Sequence, residues 1–352
     1  KHYPQFEFVP VYWMASEDHD FAEINQIELF GKQYKWERQW QGAVGRMDLE
    51  GMPELLDQLK ECPELFRKAY LDSDNLSQAT LKVVNQLFGA QGLVSIDADN
   101  AHLKRLFIPV MKDDLLNQTA FNCVMDATEA LVKHGYKTLV TPREINLFYL
   151  EDNSRNRIVQ KNQSYEVLDG NLSFSKEEIL EQLELHPECF SPNVVLRTLY
   201  QETILPNLAY VGGPGELSYW LQFKSTFDHY KIPYPVLIPR NNVLVINKSI
   251  TAKIEKLGVG IEDLFEDPDQ LKAAFIEQNA KTSLNLGSQK GQLKQTFSEI
   301  AARIKEIDGS LAGFIKAEET RALKQLNNIE KRLKKAEEKN QELAIGQHMG
   351  NK

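Results

Sequence analysis

The sequence predicts an α/β protein, an open parallel sheet with helical crossovers, followed by a helical coiled coil. Three observations carry that prediction. The apolar run Phe8 to Ala15 breaks into the acidic turn Ser16 to Asp20 and then into helical spacing at Phe21, Ile24 and Ile27. The same order of strand, turn and helix returns at Leu208 to Phe227, and a polar heptad pattern occupies the end of the chain.

The first run is too short for a helix of normal length and is rich in β-branched and aromatic residues, so it reads as a strand buried on both faces. Ligands of open α/β sheets bind beyond the carboxyl ends of the strands, which puts Glu17, Asp18, His19 and Asp20 where a site is expected. Ser16, Asp18 or Asp20 is equally suited to capping the helix that follows. From Gly31 to Asn75 the pattern loosens into an insertion with a helix starting near Pro53. Leu76 to Phe88 is an amphipathic helix ended by Gly89, and Gly92 to Ile96 is the next strand, with Asp97 and Asp99 at its carboxyl end. Helical spacing then runs from Ala101 to His134, broken at Pro109 and stopped by Gly135. Short strands at Thr138 to Thr141, Ile145 to Leu150, Arg157 to Gln160 and Tyr165 to Leu168 follow. With the Asp169-Gly170 turn and a Ser175/Glu178 capping box they describe a small α+β insertion.

Core character returns at Ser191. A helix from Val194 to Thr203 sets Arg197 and Gln201 one turn apart, and the buried strand Leu208 to Val211 runs into Gly212-Gly213-Pro214-Gly215-Glu216. A further strand, Pro235 to Ile238, ends at Arg240. After Val259, Ala322, Leu326, Ile329, Leu333, Ala336, Asn340 and Leu343 alternate in steps of four and three. That reads as a solvated single helix or as a coiled-coil seam, made with a partner chain or a returning helix, in which Asn340 would fix the register. The resulting plan is a core of residues 1–30, 76–135 and 191–258, insertions at 31–75 and 136–190, and a helical domain at 259–352.

A formal net charge of −9 leaves no electrostatic footprint for nucleic acid or a membrane surface, and no apolar run approaches the roughly 20 residues that span a bilayer. Small-molecule chemistry is expected. Cys62, Cys123 and Cys189 are odd in number and lack C-x-x-C spacing, which argues against a disulfide framework or structural zinc and fits a reducing cytoplasm. No metal is expected, because His19 has no second His or Cys at a usable spacing. The chain has no P-loop. Gly213-x-Gly215-x-x-Ser218 departs from a dinucleotide fingerprint in its third glycine and in carrying Glu216 where phosphate would meet the helix. His19 is the candidate general base, oriented by Asp18 or Asp20. Arg197 and Arg240 suit a carboxylate or phosphate ligand, or a structural ion pair.

Four blocks, in this order, resemble a known family: VPVYWMASEDHDFAEIN from Val9, SPNVVLRTLYQE from Ser191, YVGGPGELSYW from Tyr210 and PVLIPRN from Pro235. Together with the late heptads they are similar to the bacillithiol biosynthesis cysteine-adding enzymes, the BshC family. The resemblance implies a Rossmann-like core related to class I aminoacyl-tRNA synthetases and nucleotidylyltransferases, two insertions, and a coiled coil that makes a homodimer. It implies a cysteine ligase that joins cysteine to the amine of glucosaminyl-malate, with ATP as co-substrate. The catalytic set is then His19, Asp18 and Asp20. The substrate-binding set is Glu17, Asn25, Arg197, Gln201, Gly212, Gly213, Pro214, Gly215, Glu216, Tyr219 and Arg240. The resemblance also implies family segments upstream of Lys1, with a Gly-rich T-G-Q-Q block, and beyond the coiled coil. Thr198 stands where the family carries proline. Two other readings stay open: a non-enzymatic dimeric ligand-binding scaffold, and another nucleotidyl-transferring enzyme on the same core.

Overall fold

The computed structural model describes residues 3–29, 31–59, 61–205, 207–280 and 284–349, with side chains as far as Lys339. The side chains of Asn340 and Leu343 lie outside the described residues. The chain divides into two compact units, Lys1–Asn242 and Val243–Lys352. The stretch 243–258, expected with the core, therefore falls in the second unit. Val243 and Val245 are exposed and belong to no strand, so the chain has already left the sheet there.

The first unit opens with β1 (Val11–Met14), a single helical turn α1 (Phe21–Ile24) and a hairpin of β2 (Gln26–Leu29) and β3 (Lys32–Lys35). Helices α2 (Met52–Gln58), α3 (Glu64–Leu71) and α4 (Leu76–Phe88) follow. Asn75 caps α4 by accepting from Gln78 N–H. Then β4 (Val94–Asp97) lies parallel to β1, with Val11 opposite Val94 and Met14 opposite Asp97. Two expectations are corrected here. Of β1 only Met14 is buried, and Phe8 and Val9 are exposed; among the described residues β1 pairs on one side only, with β4. The helix expected to continue through Ile27 ends at Asn25, whose carbonyl accepts Trp36 N–H at 2.6 Å and turns the chain into β2.

The long helical stretch is α5 (Ala101–Asn117) and α6 (Thr119–Lys133). It breaks at Gln118, whose φ of 55° is left-handed, and not at Pro109. Phe107, Ile108, Met111 and Leu115 sit in the core on either side of the proline, and their burial outweighs one missing backbone bond. Next come β5 (Leu147–Glu151), β6 (Ser154–Lys161), β7 (Ser164–Val167) and β8 (Ser173–Phe174), then α7 (Lys176–Leu185) and β9 (Phe190–Pro192). They form an antiparallel sheet in the order β8-β7-β6-β5-β9, so the second insertion runs to Pro192. No strand forms at Thr138 to Thr141, where the amides of Leu139 and Val140 donate to the Gln222 side chain instead.

The unit closes with α8 (Val194–Ile204), β10 (Ala209–Gly212), α9 (Pro214–Trp220), α10 (Lys224–Tyr230) and β11 (Val236–Pro239), the last parallel to β10. Strand β10 is also less buried than expected, with Val211 61% exposed, and among the described residues it too has a partner strand on one side only. The parallel strands of this Rossmann-like unit thus form two pairs. One principal core, including Phe107, Leu147, Leu196, Tyr200, Trp220 and Phe227, runs beneath them, and a smaller cluster of Phe21, Trp36, Val44, Met47, Met52 and Leu56 holds the first insertion.

The second unit contains α11 (Lys248–Leu257), α12 (Pro268–Asn279), α13 (Gly287–Ile307) and α14 (Ala312–Met349). Helices α13 and α14 pack on each other as a hairpin, with Lys290 ion-paired to Glu330, so a returning helix of the same chain supplies a coiled-coil partner. Leu323, Leu326 and Glu330 are half-buried, whereas Ile329 and Leu333 of the expected seam stay exposed at 49% and 40%.

The Asp114 carboxyl is wholly inside the principal core, where loss of hydration pushes its pKa up to about 7 against the pull of Asn146 N–H at 2.6 Å. Between roughly pH 4 and 7 the unfolded chain has released this proton while the folded chain keeps it. Stability therefore falls as pH rises through that window, by about 1 kcal/mol per pH unit, and Asp114→Asn should flatten that dependence in urea melts at pH 5, 6 and 7. Parallel slopes in the two proteins would place the titration elsewhere.

Candidate functional site

Beyond the carboxyl ends of β1 and β4 the chain buries a cluster of four charges. Lys104 on α5, fully buried, lies 2.7 Å from Glu17 and 2.8 Å from Asp99. The Glu17 contact is ionic, since no donor is well aligned on its Oε1. Arg46, from the first insertion, holds Asp99 with two hydrogen bonds of 2.5 and 2.8 Å and donates to the Glu188 carbonyl at 2.7 Å. Burial pushes the Glu17 carboxyl above its ordinary range, with Lys104 opposing that shift. Burial also works against Asp99, but Arg46 and Lys104 outweigh it and hold that carboxyl below its ordinary range. The Ser16 hydroxyl donates to Asp97, which joins the ends of the two strands directly. The turn at Val44–Arg46 is pressed against this corner: Val44 N–H reaches the Asp18 carbonyl at 2.6 Å and Gly45 N–H the Ser16 carbonyl at 2.8 Å. A Cβ on Gly45 would stand 2.5 Å from Ser16 Cβ, so only glycine fits.

Next to this corner lies a cleft of about 970 Å3. Its walls include consecutive residues of β1 (Val11, Tyr12, Trp13) and of β10 (Ala209, Tyr210, Val211). Side chains of a strand alternate between faces, so consecutive lining residues mean that open strand edges border the cleft. Five arginines line it, Arg143, Arg155, Arg157, Arg197 and Arg240, and among the described residues none is ion-paired with a carboxylate. The acids present are Glu17, Asp18 and Glu216, and Glu17 is already committed to Lys104. In a chain of net charge −9 this is a local excess of positive charge facing solvent, suited to carboxylates and phosphates.

The residues singled out from sequence are placed as follows. Glu17, Asp18, Arg197, Gln201, Glu216, Tyr219 and Arg240 line this one cleft. Arg197 donates to the Tyr219 hydroxyl at 3.3 Å, and Glu216 accepts from the Tyr210 hydroxyl at 2.6 Å and from Gly213 N–H at 2.8 Å. Burial pushes the Tyr210 phenol up to about 12, so it remains a neutral donor. Gly212, Gly213, Pro214 and Gly215 form the entry to α9 beside the cleft, and the Gly213 amide is taken by Glu216. His19 lies apart, in a smaller pocket that shares Phe148, Arg155 and Arg157 with the cleft. Its Nδ1 faces Arg155 Nη1 at 3.1 Å and so accepts, which leaves the proton on Nε2. Asp18 accepts from the His19 and Asp20 amides at 2.7 and 3.3 Å, which closes the turn before α1 and does not cap the helix, and its carboxylate is 3.5 Å from the imidazole. Asp20 precedes α1 without a side-chain cap bond, and Asn25 ends α1; neither lines the cleft.

Sequence reading missed Arg143, Arg155 and Arg157, which come from the second insertion. The signal was present: Arg155-x-Arg157 on a strand puts both side chains on one face. Arg155 is clamped by Ser191 Oγ at 3.1 Å and the Pro192 carbonyl at 3.2 Å, and lies 4.0 Å above the Phe148 ring. Burial lowers its pKa from the usual guanidinium value, so an anion arriving there meets a poorly hydrated cation. Among the described residues no group of three or more His, Cys, Asp and Glu side chains is arranged to hold a metal ion, and no helix is long and apolar enough to cross a membrane.

Comparison with known proteins gives consistent matches. A family model described as the N-terminal Rossmann-like domain of bacillithiol biosynthesis BshC matches residues 1–241, and one for its C-terminal coiled-coil domain matches residues 243–349. A protein of Flavobacterium johnsoniae named "Putative cysteine ligase BshC" is 44% identical over 348 residues, covering 96% of this chain and 65% of its own length. Proteins of the same name from Cytophaga hutchinsonii and Chloroherpeton thalassium are 44% and 31% identical, covering 98% and 99% of this chain and 66% and 68% of theirs. The chain thus spans about two thirds of the length of these relatives.

The charge cluster yields a stability test. Lys104→Met removes the ammonium shared by two buried carboxylates and should cost about 3–5 kcal/mol in urea unfolding. Adding Glu17→Gln should recover part of that loss. Additive losses in the double variant would mean that Lys104 and Glu17 do not act as a pair.

Proposed function

This chain belongs to the BshC family, and from that premise we propose that its cleft joins the carboxyl of cysteine to the amine of glucosaminyl-malate, in the cytoplasm and at the expense of ATP, as the last step of bacillithiol synthesis. The observation that carries the reading is the convergence of five arginines on one cleft, none in a close ion pair with a carboxylate among the described residues, in an otherwise acidic chain. Cysteine and the malate half of glucosaminyl-malate carry carboxylates and a nucleoside triphosphate carries phosphates, and a guanidinium matches two oxygens of either group.

Amide formation needs an activated carboxyl. A cysteine carboxylate oxygen attacks the α-phosphorus of ATP and pyrophosphate leaves. The amine nitrogen of the sugar then attacks the acyl carbon, AMP departs with the electron pair of the broken C–O bond, and the amine proton passes to a base. Arg197 and Arg240 oppose the charge that develops on phosphate and carbonyl oxygens. They do so in place of the glycine amides, since the Gly213 N–H is occupied. Glu216, kept ionised against burial by the Tyr210 hydroxyl and Gly213, receives the cysteine ammonium group. His19 acts as base once a substrate carboxylate draws Arg155 away and frees Nδ1. The exposed Ile329 and Leu333 on α14, with Phe314 on the same helix, are the surface for a second copy of the chain.

The purified protein given cysteine, glucosaminyl-malate and ATP should release the thiol product with one AMP per turnover. Product without nucleotide consumption would remove the adenylate, and no product with no cysteine binding would favour a scaffold. Arg197→Ala and His19→Ala should each lower kcat/KM by about 10²-fold or more. In sedimentation equilibrium Ile329→Glu with Leu333→Glu should halve the mass. An unchanged mass would leave the helical hairpin without a role in dimer formation.

A further inference from the structure

The smaller pocket enters the reading above only through His19 and the arginines it shares with the cleft, yet it is built where the two insertions meet. Its volume is about 420 Å3, within the size of small-molecule sites. One wall is the loop after β3, with Trp40 and Gln41, and the other is the β5–β6 strand pair with Phe148, Asn156 and Arg157, closed by Asp169 after β7. The loop meets the β5–β6 turn so closely that a Cβ on Gly42 would stand 2.8 Å from the Asp152 carbonyl, so glycine is required there. The Trp40 indole is held by a hydrogen bond of 3.2 Å from Nε1 to the Ala43 carbonyl.

The chemistry of the lining is specific. Among the described residues the side chains of Gln41, Asn156, Arg157 and Asp169 have no hydrogen-bond or ionic partner. They are planar groups that together offer both donors and acceptors. Two aromatic rings complete the set, and Leu168 is the one aliphatic residue in it. A flat apolar base would leave most of these polar groups dry and unpaired, which is costly. A pure anion would meet Asp169. A ring bearing hydroxyls around its rim, with an apolar C–H face, satisfies both the planar polar groups and the aromatic platform.

We propose that this pocket is the subsite for a hexopyranose ring, the amino-sugar half of the acceptor. The assignment deepens the ligase reading and rests on it for the identity of the sugar. Arg155 and Arg157 line both cavities. A ring in the small pocket therefore carries its acidic substituent at the shared wall and its amine toward the cleft where cysteine is activated. His19, in the same pocket, is adjacent to that amine.

The test is direct binding of glucosaminyl-malate, by titration calorimetry without ATP or cysteine, to the wild type and to Gln41→Ala/Asp169→Asn. Asp169 has a φ of 59°, which asparagine tolerates, and Gln41 is exposed, so the variant should fold; circular dichroism melts check this. Losing two or more polar contacts should weaken binding by about tenfold or more. Cysteine-dependent exchange of pyrophosphate into ATP should be unchanged in the same variant. Wild-type affinity in a folded variant would overturn the assignment, as would no binding to the wild type. Binding that is lost in the variant, in a protein that forms no ligated product, would keep the sugar subsite and remove the ligase reading.

Discussion

The buried ammonium of Lys104 is the contact on which the site depends. It stands between Glu17, beyond the end of β1, and Asp99, beyond the end of β4, and Arg46 ties the same carboxylate to the first insertion and to the Glu188 carbonyl at the edge of the second. Four separate stretches of chain are therefore held at one point. Isolated, any of these charges would be prohibitively costly to bury; together they are formally neutral. A cluster of this kind fixes geometry more than it adds stability, and here it fixes the position of the turn that carries Asp18 and His19.

The insertions are walls of the site. The second supplies Arg143, Arg155 and Arg157, and the first supplies the loop that reaches Asp152. The Rossmann-like strands contribute turns and edges, while much of the positive charge comes from the antiparallel sheet. This division explains how a chain of net negative charge presents a cationic cleft: five arginines converge on it against three lining acids, one of them held by Lys104.

The legible parts of the fold were those written in local signals. The α4 helix, with its Asn75 cap and terminal Gly89, the Ser175 capping box and the parallel partners β1 and β4 follow from spacing and end residues. What local signals did not carry was tertiary. Pro109 suggested a break that core packing overrode, and the left-handed Gln118 that made the break had no glycine to mark it. Within the site, Arg197, Gln201 and Arg240 were visible because each follows a strand or shares a helix face. Lys104 was hidden, since a lysine in a helical pattern reads as surface and its two partners lie elsewhere in the chain.

The two parallel strand pairs have a dynamic consequence. In a parallel ladder a strand directs the peptide groups of alternate residues to one neighbour, and Pro10 and Leu208 already point theirs at β4 and β11. The amides of Val11, Trp13, Ala209 and Val211 then face away from those partners, while those of Tyr12 and Tyr210 do not. Deuterium uptake along both strands should accordingly run as a comb, quick and slow at successive residues, and a molecule filling the space between the pairs would slow only the quick teeth.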